Sequence, residues 1–278
     1  MQLACFSTYL FVPATRLDRV AKAMDSGATH IIIDLEDAVE SSHKAKVRAN
    51  LKDFDRQSNR PYWLRINAAH TYDYAHDIEL LNDLNHVQGV LLPKAESALS
   101  VTAVHQATSL PIIAVIETAK GVLNIPQIAT ATGLFAMTYG CLDLSKSLGL
   151  LPKTPSAKVV FDKIRTELLL HSVANQLSAP IETIFADFHD GQGVERFARY
   201  AKEFGFGGQL LIHPNQVIPV QRATAPSDEV MNFAKKVLAT HKETGRAVFS
   251  VQGEMVDLPV IDWAKKLLGL PPDKASVD

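Results

Sequence analysis

The 278-residue chain has only two cysteines and two tryptophans, and almost no surplus of either charge. Cys5 and Cys141 are too few for a disulfide framework and their spacing matches no zinc motif, so a cross-linked or zinc-stapled fold is excluded and a reducing cytoplasm is the expected setting. The 28 basic residues nearly cancel the 30 acidic ones. No broad field is available to attract nucleic acid or an anionic membrane, and an anionic ligand must be held locally. Long hydrophobic runs are also missing. The opening MQLACFSTYLFVP is apolar, but it lacks a basic leader and a cleavage site and falls short of the roughly 20 apolar residues of a membrane span. It reads as a first strand. Neither a Gly-rich dinucleotide fingerprint after that strand nor a phosphate-cradling GxxxxGK[ST] occurs, so a nucleotide-binding open sheet loses its main support.

What is present is an ordinary globular composition, 47% hydrophobic and 21% charged, organised into a recurring unit. A short apolar run rich in β-branched or aromatic residues ends in a polar tip and is followed by a helical pattern. Eight such runs are found, at 7–13, 29–35, 62–67, 89–93, 111–116, 134–139, 181–185 and 208–213. Between them lie stretches such as RLDRVAKAMDSG, SSHKAKVRANLKDF and GVERFARYAKEFG, with apolar residues at helical spacing and several Gly or Asn stops. Strands apolar on both faces and joined through helices are parallel and buried, which places the chain in the α/β class. Eight units favour closure into a (β/α)8 TIM barrel, and the length suits one. After residue 222 the alternation stops. Residues 223–278 read as a C-terminal helical extension, too short to sustain a core alone.

In such a barrel the reacting groups sit at the C-terminal ends of the strands. The first run is followed by Arg16, the second ends in Asp34, Glu36 and Asp37, and the third in Arg65 and Asn67. Lys94 and Glu96 follow the fourth, Glu117 the fifth, Asp143 the sixth, Asp187 and Asp190 the seventh, and His213 and Asn215 end or follow the eighth. Charges converging on one mouth are costly unless paired or metal-bound. Glu117 and Asp143, on neighbouring units, have the oxygen chemistry a hard divalent cation prefers, with water and substrate in the remaining positions. Arg65 offers a planar fork for a carboxylate or a developing enolate oxygen. Free N–H groups from Thr118 to Gly121, where a helix begins, suit a substrate carboxylate. Simpler readings stand beside these. A single strand-end carboxylate commonly caps a helix, His213 with Pro214 fixes the last turn, and Cys141 is a small buried residue. Lys94 is either a Schiff-base lysine or a salt-bridge partner of Glu96.

The ordered segments LFVPATR, IIIDLEDAV, LRIN, GVLLPKAES, AVIETAKGVLN, YGCLDL, GFGGQLLIHPNQV and GEMVDLP resemble the HpcH/HpaI aldolase and citrate lyase superfamily over nearly the whole chain, in particular its citrate lyase beta-subunit-like members. The resemblance implies a Mg²⁺-dependent carbon–carbon lyase, homotrimeric or hexameric, that makes or cleaves a 3-hydroxyacyl-CoA from an oxo acid and an acyl thioester on CoA or an acyl carrier protein. By position, Glu117 and Asp143 would be the metal ligands, with Glu117 also beside the substrate. Arg65 would bind the oxo acid and Arg16 would lie near the thioester or its phosphates. Glu36 and Asp37 would orient metal-bound waters and Arg65. Asp257 would act as acid/base over a neighbouring subunit's barrel. The chain departs from the family pattern at Leu142, where many relatives carry an acid, and at Ala14, where most carry Gly. A metal-dependent aldolase for free hydroxy-oxo acids and a non-catalytic thioester-binding subunit are the alternatives to the lyase reading.

Overall fold

A computed structural model describes residues 6–270; Cys5 and the last residues of the 223–278 extension lie outside them. Eight parallel strands close into a barrel in sequence order. They are β1 (Ser7–Pro13), β2 (His30–Asp34), β3 (Tyr62–Arg65), β4 (Val87–Leu92), β5 (Ile112–Ile116), β6 (Leu134–Tyr139), β7 (Ile181–Glu182) and β8 (Gly208–Leu211), with β1 pairing β8 to complete the ring. The (β/α)8 expectation from eight apolar runs holds. β-branched and aromatic residues favour the pleated, doubly buried surface, and alternate positions point inward. Tyr9, Ile32, Trp63, Leu91, Ile113, Val115, Ala136, Ile181 and Leu210 fill the interior as one cluster, so the barrel is a packed core with its chemistry confined to the mouth. Gly89 makes room for this filling, since a Cβ there would stand 2.2 Å from the Trp63 ring.

β7 spans two residues, against five expected. Its ladder is limited to Thr138↔Ile181, Ile181↔Gly208 and Glu182↔Gln209. Beyond Glu182, side chains take over the backbone groups: Gln216 donates to the Phe185 carbonyl, and the Thr183 hydroxyl accepts from the Cys141 N–H. β4 begins earlier than expected, at Val87, because the strand continues through Gly89 to pair with β3.

Contacts divide the described chain into two compact units, Ser7–Ala223 and the segment from Thr224 onward. The second unit holds a helix (Asp228–Thr244), an antiparallel hairpin of β9 (Phe249–Val251) and β10 (Glu254–Val256), and a final helix (Leu258–Leu267). Gln252 and Gly253 both have positive φ, 56° and 88°, the backbone of a tight primed hairpin turn. Contrary to the expectation from length, this unit has an apolar cluster of its own, built on Ala234, Val237, Val251, Val256, Ile261 and Ala264. The hairpin folds its two short strands back so that Val251 and Val256 reach the same helices. Among the described residues no helix is long and apolar enough to cross a membrane.

Candidate active site

Asp34 and Arg65 are register partners at the ends of β2 and β3. That adjacency produces a bidentate pair, with Arg65 Nε donating to Asp34 Oδ1 at 2.7 Å and Nη2 to Oδ2 at 2.6 Å. Burial opposes the guanidinium charge, but the Asp34 carboxylate, helped by Glu36 and Asp37, outweighs it and raises the Arg65 pKa. The fork expected to be open to a substrate is therefore occupied by Asp34. Nη1 is turned instead toward Glu36 Oε2 at 3.2 Å and Asp37 Oδ2 at 3.5 Å. The loop carrying Glu36 is fixed from below by Lys44, whose Nζ donates to the carbonyls of Leu35 and Glu36 and to the Asn67 side chain.

Lys94, just after β4, has φ of 50°, a left-handed conformation costly for a residue with a Cβ. The conformation lets one residue serve two acids. Its N–H donates to Glu117 Oε1 at 2.9 Å and its Nζ to Glu36 Oε1 at 2.6 Å. Burial disfavours the ammonium, yet the Glu36 hydrogen bond and the nearby carboxylate charges outweigh it and raise the pKa. A Schiff-base lysine needs the opposite shift. Lys94 is a salt-bridge residue, paired with Glu36 rather than the expected Glu96, which instead holds Thr118 and Lys120.

Glu117 follows β5 and is buried. Burial first, then the Glu36 charge and, against the opposing Lys94, the Asp143 charge push its carboxyl up to about 7. Glu36 is likewise raised by burial, and its buried Oε2 has the Arg65 ion pair but no hydrogen bond. Asp143 lies in the first turn of a helix (Cys141–Leu148) entered from β6 through Gly140. Gly140 is pressed against Glu117, because a Cβ there would meet Oε2 at 2.4 Å. Asp37, Arg65, Glu117 and Asp143 line one cavity of about 100 Å³ with Leu142 and Thr183.

Around this mouth five carboxylates (Asp34, Glu36, Asp37, Glu117, Asp143) face two cations (Arg65, Lys94). The excess negative charge and a glutamate forced toward neutrality both fit a hard divalent cation at this point. Among the described residues no group of three or more His, Cys, Asp or Glu is arranged to hold an ion alone. The fit is therefore to an ion such as Mg²⁺, which keeps several waters and takes one or two protein carboxylates.

Other expected site residues have local partners of their own. Arg16 is partly exposed and its own fork is closed by Asp18, with Nε to Oδ1 at 2.9 Å and Nη2 to Oδ2 at 2.7 Å. The N–H of Gly121 is not free as expected, because it donates to the Thr118 hydroxyl that caps the helix (Ala119–Leu123). Gly121 is also packed so that a Cβ would meet the Ala95 carbonyl at 2.7 Å. Asp257 belongs to the second unit, where its Oδ1 accepts from the Val260 N–H at 3.3 Å and caps the final helix. His213 does fix the last turn. It does so by accepting from the Asn215 N–H and stacking on Phe188, not by meeting a carboxylate. Cys141 is a free thiol, pushed up by burial. Sequence reasoning missed Gly140 and gave Asp34 no role. The alternation of the second run put Asp34 at a strand tip, but only the register shows whose fork it fills.

The family model for HpcH/HpaI aldolase/citrate lyase matches residues 7–214. The chain belongs to this family. A citrate lyase subunit beta-like protein of Mycobacterium tuberculosis is 35% identical over 264 residues, spanning 94% of this chain and 93% of the relative. The human mitochondrial citramalyl-CoA lyase is 27% identical over 289 residues, 94% of this chain and 84% of that protein. The crystal structure of CitE from M. tuberculosis in complex with magnesium, acetoacetate and coenzyme A superposes with a TM-score of 0.83. It is 34% identical and covers 96% of this chain and 98% of that one.

Proposed function

We propose that the protein is a Mg²⁺-dependent carbon–carbon lyase of the CoA-ester type, making or cleaving a 3-hydroxyacyl-CoA of malyl, citramalyl or citryl kind from an acyl thioester and an oxo acid. The observation that carries this reading is the uncompensated acid cluster centred on Glu117 and Asp143 at the C-terminal mouth of the barrel. Relatives described as citramalyl-CoA lyase and as CitE with magnesium, acetoacetate and coenzyme A support the substrate class.

Glu117 and Asp143 would hold the ion, which when bound supplies Lewis-acid polarisation of the oxo-acid carbonyl. Arg65, kept charged by Asp34, would offer Nη1 to the oxo acid and stabilise negative charge that grows only in the transition state. Asp34 fixes the plane of that guanidinium, so the donor is in place before reaction begins. Lys94 ties Glu36 to Glu117 through its two donors and keeps both acids at fixed positions. Asp257 of a neighbouring subunit, in a homotrimer or hexamer, would take the proton from the acyl carbon as the new bond forms, or return it on cleavage. Arg16 would turn from Asp18 toward the thioester or its phosphates.

The test is turnover by purified protein with Mg²⁺ and malyl-, citramalyl- or citryl-CoA, followed by release of the oxo acid. Cleavage of the CoA esters but not of the free hydroxy acids is expected. Cleavage of the free acids alone would favour an aldolase, and absence of turnover with intact Mg²⁺ binding would favour a non-catalytic subunit.

A further inference from the structure

A second cavity, of about 220 Å³, adjoins the carboxylate cavity and shares Tyr139, Cys141, Leu142, Thr183 and Ile184 with it. Part of its wall is aromatic, made by the half-buried Phe161, Phe185 and Phe197. Polar groups line it too, but their hydrogen-bonding capacity is directed into the protein. Arg165 places Nε and Nη2 on Glu182, at 2.8 and 3.1 Å, and Nη1 on Asp162 at 2.8 Å. The Tyr139 hydroxyl donates to the same fully buried Glu182, whose Oε1 also accepts from the Thr183 N–H. The Thr183 hydroxyl accepts from the Cys141 N–H, and Ser145 donates to the Cys141 carbonyl at 2.7 Å. Lys153 and Asp187 line the cavity but are exposed.

A polar guest entering such a chamber would give up its hydration and find few partners, which costs more than burial returns. An apolar guest loses nothing of that kind and gains by leaving water. Leu142, one residue before Asp143, lines both cavities, so a group attached to whatever reacts at the carboxylate cluster has a path from one to the other. Leu142 is itself 58% exposed, a large apolar side chain left at the junction of the two cavities.

We propose that this chamber is a specificity pocket for an apolar substituent of two or more carbons on the skeleton joined or cleaved at the acid cluster. The inference rests on the proposed lyase reading and extends its substrate class, since malyl, citramalyl and citryl skeletons carry no apolar substituent of that size. The substituent can come from the oxo-acid half or from the acyl half, and the two are separable by experiment.

The experiment uses the full-length protein with Mg²⁺ and two substrate series. One runs from glyoxylate through pyruvate and 2-oxobutyrate to 4-methyl-2-oxopentanoate with acetyl-CoA. The other runs from acetyl- through propionyl- to butyryl-CoA with glyoxylate. In one series kcat/KM is expected to rise by about fourfold per methylene buried, and the series that rises identifies the half. The gain should vanish in Leu142→Glu, which puts a charge at the junction, and in Ala186→Trp, which fills the chamber from an exposed position. Both variants are read as the ratio of long to short substrate, so a general loss of activity does not mimic the result. If the shortest pair turns over with Mg²⁺ and each added carbon lowers kcat/KM in both series, the pocket is refuted while the lyase reading stands. If no pair turns over, the lyase reading fails and the same two series are followed by calorimetry. A chain-length gain in affinity that Ala186→Trp removes would then still support the pocket, and its absence would refute it.

Discussion

A Cβ on Gly140 would stand 2.4 Å from Oε2 of Glu117. The space beside Gly140, between β6 and the helix bearing Asp143, is thus filled by the carboxylate that follows β5. Gly140→Ala should push that carboxylate aside. The fold is expected to persist, with Mg²⁺ affinity down by about tenfold or more, since 1.4 kcal/mol of misplacement suffices for that. Calorimetric titration beside a thermal melt checks it, and unchanged affinity would show that Glu117 has room to adapt.

Replacing Glu117 or Asp143 by Ala should each weaken Mg²⁺ binding by at least about tenfold, because in the proposed site these two carboxylates are the protein's ligands to the ion. If either variant binds the ion as tightly as the parent chain, the metal lies elsewhere.

The raised Glu117 carboxyl has a stability signature that needs no metal. Its folded pKa of about 7 exceeds the ordinary value of 4.5. Folding is therefore favoured by this group at low pH, fully below about 4.5, and the contribution is lost as pH rises through 7. The difference corresponds to about 3 kcal/mol. Glu117→Gln, without added metal, should flatten denaturation free energy between pH 5 and 8 and be the more stable protein at pH 8. Parallel pH profiles for the two proteins would contradict the assignment.

Asp257 caps the last helix through Oδ1. Asn caps as well as Asp, whereas Ala costs about 1 kcal/mol. Asp257→Asn should therefore keep the melting temperature and still lose the proton transfer, with turnover falling by about a hundredfold or more. Asp257→Ala should lose both. Full activity in the Asn variant would leave the residue a cap only.

Arg65→Lys keeps the charge but not the fork. Asp34 would be left with one donor in place of two, and Glu36 and Asp37 with a displaced cation. A stability loss of about 1–3 kcal/mol is expected, together with a fall in kcat larger than any rise in KM. Chemical denaturation and steady-state kinetics separate the two effects.

Much of the barrel was legible because parallel strands buried on both faces must be apolar runs, and β1 and β6 fall on the residues that pattern marks. β7 was overestimated because its later residues, Thr183 and Phe185, have strand character but give their backbone or hydroxyl groups to side-chain and loop partners. At the site, the acidic tips were readable one strand at a time. That Glu36 is held by Lys94, and that Arg65 is already engaged by Asp34, depends on which tips are neighbours and at what register. The positive φ of Lys94 has no sequence signal at all, since lysine is not a residue chosen for that conformation.

The amino-acid sequence by itself determined the number of β/α units, the end of each strand at which charge gathers, and the near balance of basic and acidic residues. These follow from periodicity and composition, which are local properties. Tertiary structure alone decided that a glycine presses on Glu117, that five acids face two cations, and that the polar groups beside Leu142 are satisfied inward and leave an apolar chamber. Each of those depends on distances between residues tens of positions apart, which are set only when the barrel closes.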